Sequence, residues 1–181
     1  MRVWTTPILA MVSAVLMASS GARAQDSLPS EYRLKAAFLF NFAKFVDWPA
    51  DAFDKSNSPM VIGILGDNPF GADLEDTVRN KVINERPLEV KVCPTPAAAT
   101  NCHILFISTS EKKRLPEILG SLRGASVLTV SETDGFTETG GMINFVREGN
   151  KVRFQINDAA AKNARLTISS KLLSLALRPA R

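Results

Sequence analysis

Between Glu31 and Trp48 the apolar positions recur with helical spacing. Leu34, Phe38, Phe42 and Phe45 fall at i, i+4, i+8 and i+11, Leu39 and Val46 widen the stripe, and Arg33, Asn41, Lys44 and Asp47 lie behind it. The spacing predicts one amphipathic helix closed by Pro49, which disfavours α geometry at Trp48. Each Phe removed from water contributes about 1.5–3 kcal/mol, so this helix is the expected foundation of the core. Phe40 breaks the pattern by projecting from the opposite side, near Arg33 and Lys44. A second surface has to cover it: either the chain's own last helix around Leu172 and Leu175, or the same helix of a second subunit. Phe40, Lys44 and Arg33 are therefore the expected interface residues.

Downstream the period changes. Asp51 to Pro59 is polar and reads as a loop, and Met60 to Leu65 is an apolar run of strand length. Gly66-Asp67-Asn68-Pro69 then turns the chain, with Asn68 placed to cap a helix, Pro69 at its first position, and Phe70, Leu74 and Val78 on one face. Leu88, Val90 and Val92 alternate with Glu89 and Lys91, which predicts a strand with one solvated face, whereas the unbroken Ile104 to Ile107 predicts a central strand. A helix follows around Leu115, Ile118, Leu119 and Leu122, with Pro116 in its first turn, and Ser126 to Val130 is the next strand. Gly140-Gly141 opens a hairpin of Met142–Arg147 and Lys151–Ile156 around Gly149-Asn150. Asn157-Asp158 can cap a short helix through Ala161, and Ser169 or Ser170 a final one. The expected fold is α/β: an open, mostly parallel sheet with helices on both faces, then a C-terminal antiparallel β-hairpin followed by helices.

The first 24 residues stand apart. Arg2, an apolar run from Pro7 to Ala18, and Ala22-Arg23-Ala24 before Gln25 describe a signal peptide, the run being too short for a membrane span. The mature chain is then expected over 25–181, outside the cytoplasm, as one α/β domain with no linker, repeat or membrane span. Without Arg2 and Arg23 the 22 basic residues become 20, against 18 acidic, and the two signs are interspersed. That balance does not describe a nucleic-acid-binding surface.

Candidate chemistry changes the picture little. Gly63, Gly66 and Gly71 flank a strand and a turn, but no Lys or hydroxyl follows at phosphate-loop spacing, and Asp67 would repel an anion. His103 is the only histidine, no nucleophile motif accompanies it, and Gly-x-Ser-x-Gly is absent. Glu132 and Asp134 fall in a loop, Ser131 to Thr137, that reads as solvated. No catalytic, cofactor or metal site is expected. Cys93 and Cys102 are suited to a disulfide by compartment. They leave and enter parallel strands at opposite ends, which argues against one, while the eight residues between them are few enough to cut across. Both outcomes stay open.

Several segments together carry a resemblance. KAAFLFNFAKFVDWP at Lys35 to Pro49, CHILFIS at Cys102 to Ser108, GGMINFVREGNKVRFQIN at Gly140 to Asn157 and ISSKLLSLA at Ile168 to Ala176 resemble the YfiR family of small periplasmic proteins, in order and over nearly the whole mature chain. The resemblance implies a non-enzymatic regulator, homodimeric, that binds the periplasmic sensor region of an inner-membrane diguanylate cyclase or a related sensor. Repression of the cyclase would lower cyclic di-GMP and biofilm formation. A periplasmic small-ligand-binding sensory domain is the alternative. Redox-responsive members carry a disulfide in the C-terminal hairpin, whereas Gly140 to Asn157 here contains no cysteine.

Overall fold

The computed structural model describes residues 31–55 and 57–177. The expected signal peptide over 1–24 lies outside the described residues. Helix α1 (Glu31–Phe45) leads into a two-residue strand β1 (Val46–Asp47), a 3₁₀ turn at Ala50–Ala52 and strand β2 (Met60–Leu65). Then come α2 (Asp73–Val78), β3 (Val82–Ile83), β4 (Arg86–Cys93), α3 (Pro96–Ala99) and β5 (Ile104–Ile107). A 3₁₀ segment runs into α4 (Leu115–Ser121), followed by β6 (Leu128–Ser131), β7 (Ile143–Glu148), β8 (Lys151–Ile156), α5 (Asp158–Asn163), β9 (Thr167–Ile168) and α6 (Ser170–Leu175).

Seven strands form one mixed sheet in the order β3-β4-β2-β5-β6-β7-β8, parallel from β4 to β7 and antiparallel at both margins. This is the expected α/β architecture, hairpin included: Ile143 pairs with Ile156 and Phe145 with Phe154. Alternation along the central strands divides the core into two layers. Ile62, Ile64, Ile104, Phe106, Leu128 and Val130 face α1, α2 and α6. Val61, Leu65, Leu105 and Ile107 face α3 and α4, with Phe136. Because helices cover both faces, β2 and β5 are buried at every position, which is why both read as unbroken apolar runs.

The helix caps follow their residue chemistry. Asn157 accepts from the Ala160 N–H at 3.0 Å, Ser169 Oγ from the Leu172 N–H at 3.3 Å, and Pro116 sits in the first turn of α4. Four expectations need correction. Leu34 is 40% exposed, and the buried positions of α1 are Lys35, Ala36, Leu39, Phe42 and Ala43, so the buried stripe is rotated by roughly 100° from the aromatic one. Small alanines let α1 approach the sheet, and the larger Phe38, Phe40 and Phe45 flank the contact. The helix also ends at Phe45 rather than Trp48, since Val46 and Asp47 are drawn into pairing with Ile168 and Thr167 and the Ser169 N–H bonds the Phe45 carbonyl. Asn68 does not cap α2. Its side chain accepts from the Phe70 N–H at 2.9 Å, a local turn that delays the helix to Asp73. Val92 is 65% exposed because β4 has only the two-residue β3 beyond it and α2 packs near Leu88 and Val90, not Val92.

Candidate functional site

A cluster of charge lies where the N-terminal turn of α1 crosses the carboxyl ends of the parallel strands. Lys35 is 3% exposed, on the core-facing side of the helix. Its Nζ is ion-paired with Glu31 at 2.5 Å and with Glu132, the residue after β6. Tyr32 donates its hydroxyl to the other Glu132 oxygen at 3.1 Å, and its ring lies 4.7 Å from the ammonium. Burial disfavours the charge on Lys35, but hydrogen bonds and charge from Glu132 and Glu31 outweigh it and hold the lysine pKa above its usual value. The bond from Lys35 holds Glu31 below the usual carboxylate value. Burial, then the charge of Glu132, pushes the Tyr32 phenol up.

This corrects the expectation of a solvated Ser131–Thr137 loop. Asp134 is exposed, but Ser131, Thr133, Phe136 and Thr137 are buried, and Glu132 is turned inward to neutralise Lys35. The cluster joins three parts of the chain, since Arg147 of the hairpin reaches the second oxygen of Glu31 at 3.3 Å. Its residues are fully engaged with one another, so what the arrangement does is orient α1, the strand ends and the hairpin.

The expected interface residues sit on the opposite flank of α1. Arg33 and Lys44 are exposed. Lys44 Nζ lies 5.7 Å from the Phe40 ring centroid and 6.0 Å from that of Phe45, while Arg33 is placed about two turns from Phe40 and about three from Lys44, toward the N-terminus on the same side. Phe40 is half-buried and packs against the main core of its own chain.

Cys93 and Cys102 are both buried, with their Sγ atoms 3.4 Å apart. His103 points away from them. Its Nδ1 accepts from the Val61 N–H at 3.0 Å, its Nε2–H donates to the Ala52 carbonyl at 3.1 Å, and the Phe53 ring stacks on it at 4.2 Å. Among the described residues no three His, Cys, Asp or Glu side chains gather as a metal-ligand set. A cleft of about 570 Å³ opens between α4 and α5, with Leu119, Val127 and Met142 on its wall and Arg123, Thr129 and Asn163 beside them.

The family model described as YfiR/HmsC-like matches residues 32–177 of this sequence. The chain belongs to the YfiR/HmsC-like family. No match was found among curated proteins. The match runs from the charged turn of α1 through the hairpin to the last bridge of the sheet, Gln155 with Leu177. In this YfiR/HmsC-like chain the cysteine-free hairpin is held by aromatic packing onto α1. Phe42 lies 5.2 Å from Phe154 and 5.8 Å from Phe145, Phe38 lies 5.5 Å from Phe154, and the Leu177 N–H bonds the Phe154 carbonyl at 2.8 Å.

Sequence reasoning missed Lys35 and Glu132 as a pair. The signal was present on one side only: Lys35, Leu39, Phe42 and Val46 fall at i, i+4, i+7 and i+11, which places a lysine inside the buried stripe. Nothing local marks Glu132 as its partner, 97 residues away.

Proposed function

We propose that this protein is a non-enzymatic periplasmic regulator that binds the periplasmic sensor region of an inner-membrane diguanylate cyclase and holds it inactive, lowering cyclic di-GMP and biofilm formation. The observation that carries this reading is the family match over residues 32–177, which spans both core layers and the hairpin. The outer flank of α1, with Arg33, Phe40 and Lys44, is the surface assigned to partner or homodimer contact, because it joins a half-buried aromatic ring to exposed cations. Deleting the protein raises cyclic di-GMP and surface attachment, and the mature protein used as bait on solubilised membranes retains a diguanylate cyclase. Lys44→Glu with Arg33→Glu, in a protein that still folds, weakens that capture. Unchanged cyclic di-GMP after deletion from cells that express the protein refutes the repressor role.

The cleft between α4 and α5 favours a second reading, a periplasmic sensory domain for a small ligand, since its volume and mixed lining suit a small molecule. Filling it with Ala160→Trp tests this. If the folded variant controls cyclic di-GMP as the parent does under every condition that alters it, the cleft has no sensory role.

A further inference from the structure

We propose that Cys93 and Cys102 close into an intramolecular disulfide laid across Gly63, tying the end of β4 to the entry of β5 over the strand between them. Strand β2 separates β4 from β5 in the sheet, so the connection has to pass over it. It does so through α3, started by Thr95, whose Oγ1 accepts from the Ala98 N–H at 3.3 Å, and turned back by the Cys102 N–H bonding Ala99 at 3.0 Å. The two thiols thereby meet on the face of β2, 3.4 Å apart and at most 5% exposed.

Gly63 makes the meeting possible. A Cβ at this position would stand 2.5 Å from Cys102 Sγ, 3.0 Å from Cys93 Sγ and 3.1 Å from Leu105 Cδ1. The neighbours of Gly63 on the same face of β2, Val61 and Leu65, are large and buried, so the missing side chain is a local feature that the sulfurs fill. The arrangement therefore depends on three residues, Gly63 within β2, Cys93 at the end of β4 and Cys102 just before β5.

The chemistry is a two-electron oxidation. Two S–H bonds break and one S–S bond forms, while an external small-molecule disulfide such as oxidised glutathione is reduced to two thiols and takes both protons. The exchange passes through a mixed disulfide that the filled space over Gly63 cannot hold. Burial, with Cys93 beside it, also pushes the Cys102 thiol up to about 12, leaving little thiolate in the folded chain. Bridging thus belongs to the folding chain, and the finished bond is shielded afterwards.

The test uses the mature protein, reduced, unfolded and then refolded in a reduced and oxidised glutathione buffer. The expected product is a monomer lacking both free thiols and about 2 Da lighter than the reduced chain, with a thermal midpoint raised by about 5–10 °C over the reduced form. Reduced protein that is already folded should react with oxidised glutathione at least tenfold more slowly than unfolded protein. Gly63→Ala should lower the cross-linked fraction at a given glutathione ratio at least tenfold. Should Gly63→Ala fail to fold, the parent and the single variants Cys93→Ser and Cys102→Ser still decide. Two free thiols in the refolded parent, or a disulfide-linked dimer in its place, overturn the proposal. Equal cross-linking in folded Gly63→Ala overturns the role of the glycine.

Discussion

At the residue scale the structure rests on polar groups inside an apolar core, and two of them, Lys35 and His103, have partners on distant segments. His103 fixes the loop after α1: its ring takes the Val61 N–H and holds Ala52, while Trp48 donates to its carbonyl at 3.1 Å. Burial keeps its pKa below the usual histidine value. A group that binds its proton more weakly when folded stabilises the protein fully above its unfolded pKa, about 6.5, and that stability is lost as pH falls through the folded value. Denaturant unfolding between pH 7.5 and 5 should show this decline. His103→Ala should remove it while costing about 1–3 kcal/mol for the Val61 N–H left without a partner. Lys35 behaves in the opposite sense. Its raised pKa, together with that of Tyr32, gives stability that is full below about pH 10 and lost as pH rises through the folded values, whereas the lowered Glu31 loses its contribution as pH falls below about 4.3. Lys35→Met should destabilise by about 3–5 kcal/mol, because it leaves the Glu132 carboxylate enclosed without its cation. Lys35→Met combined with Glu132→Gln should recover part of that loss, and a double-mutant cycle by chemical denaturation measures the coupling.

At the element scale α1 does the most, though with a different face from the one its aromatics suggest. Ala36, Leu39 and Ala43 meet the sheet, and the Phe side chains fill the gaps on either side of that contact. Phe38 and Phe42 hold the hairpin, and the tail after α6 bonds to β8. Phe40 occupies the other flank. Since it is half-buried against its own core, Phe40→Ala should cost roughly half of the 3–5 kcal/mol typical of a fully buried Phe, about 1.5–2.5 kcal/mol. If the same ring also meets a second subunit, stability of the parent rises with protein concentration and the variant loses that dependence. Unfolding at two widely separated concentrations, with sedimentation alongside, separates these contributions.

At the scale of the whole molecule, the chain as a periplasmic regulator should begin at Gln25, and mass spectrometry of the periplasmic fraction checks this. A mature terminus at Met1 in the cytoplasm would remove the premise of export. The sequence by itself determined the α/β class, the central strands, the hairpin and the cap at Asn157, and narrowed the last cap to Ser169 or Ser170, because these depend on local period and on hydrogen bonds spanning a few residues. The family was also legible, since its segments are contiguous. Tertiary structure alone decided which face of α1 is buried, because Ala36 and Ala43 carry no strong hydrophobic signal yet allow the closest approach to the sheet. It decided the end of α1, through pairing with β9, and it joined Lys35 to Glu132. It also brought Cys93 and Cys102 together over Gly63. Each of these depends on groups far apart along the chain or across the sheet, and local spacing carries no information about which distant segment will supply a counter-charge, a strand partner or an empty place.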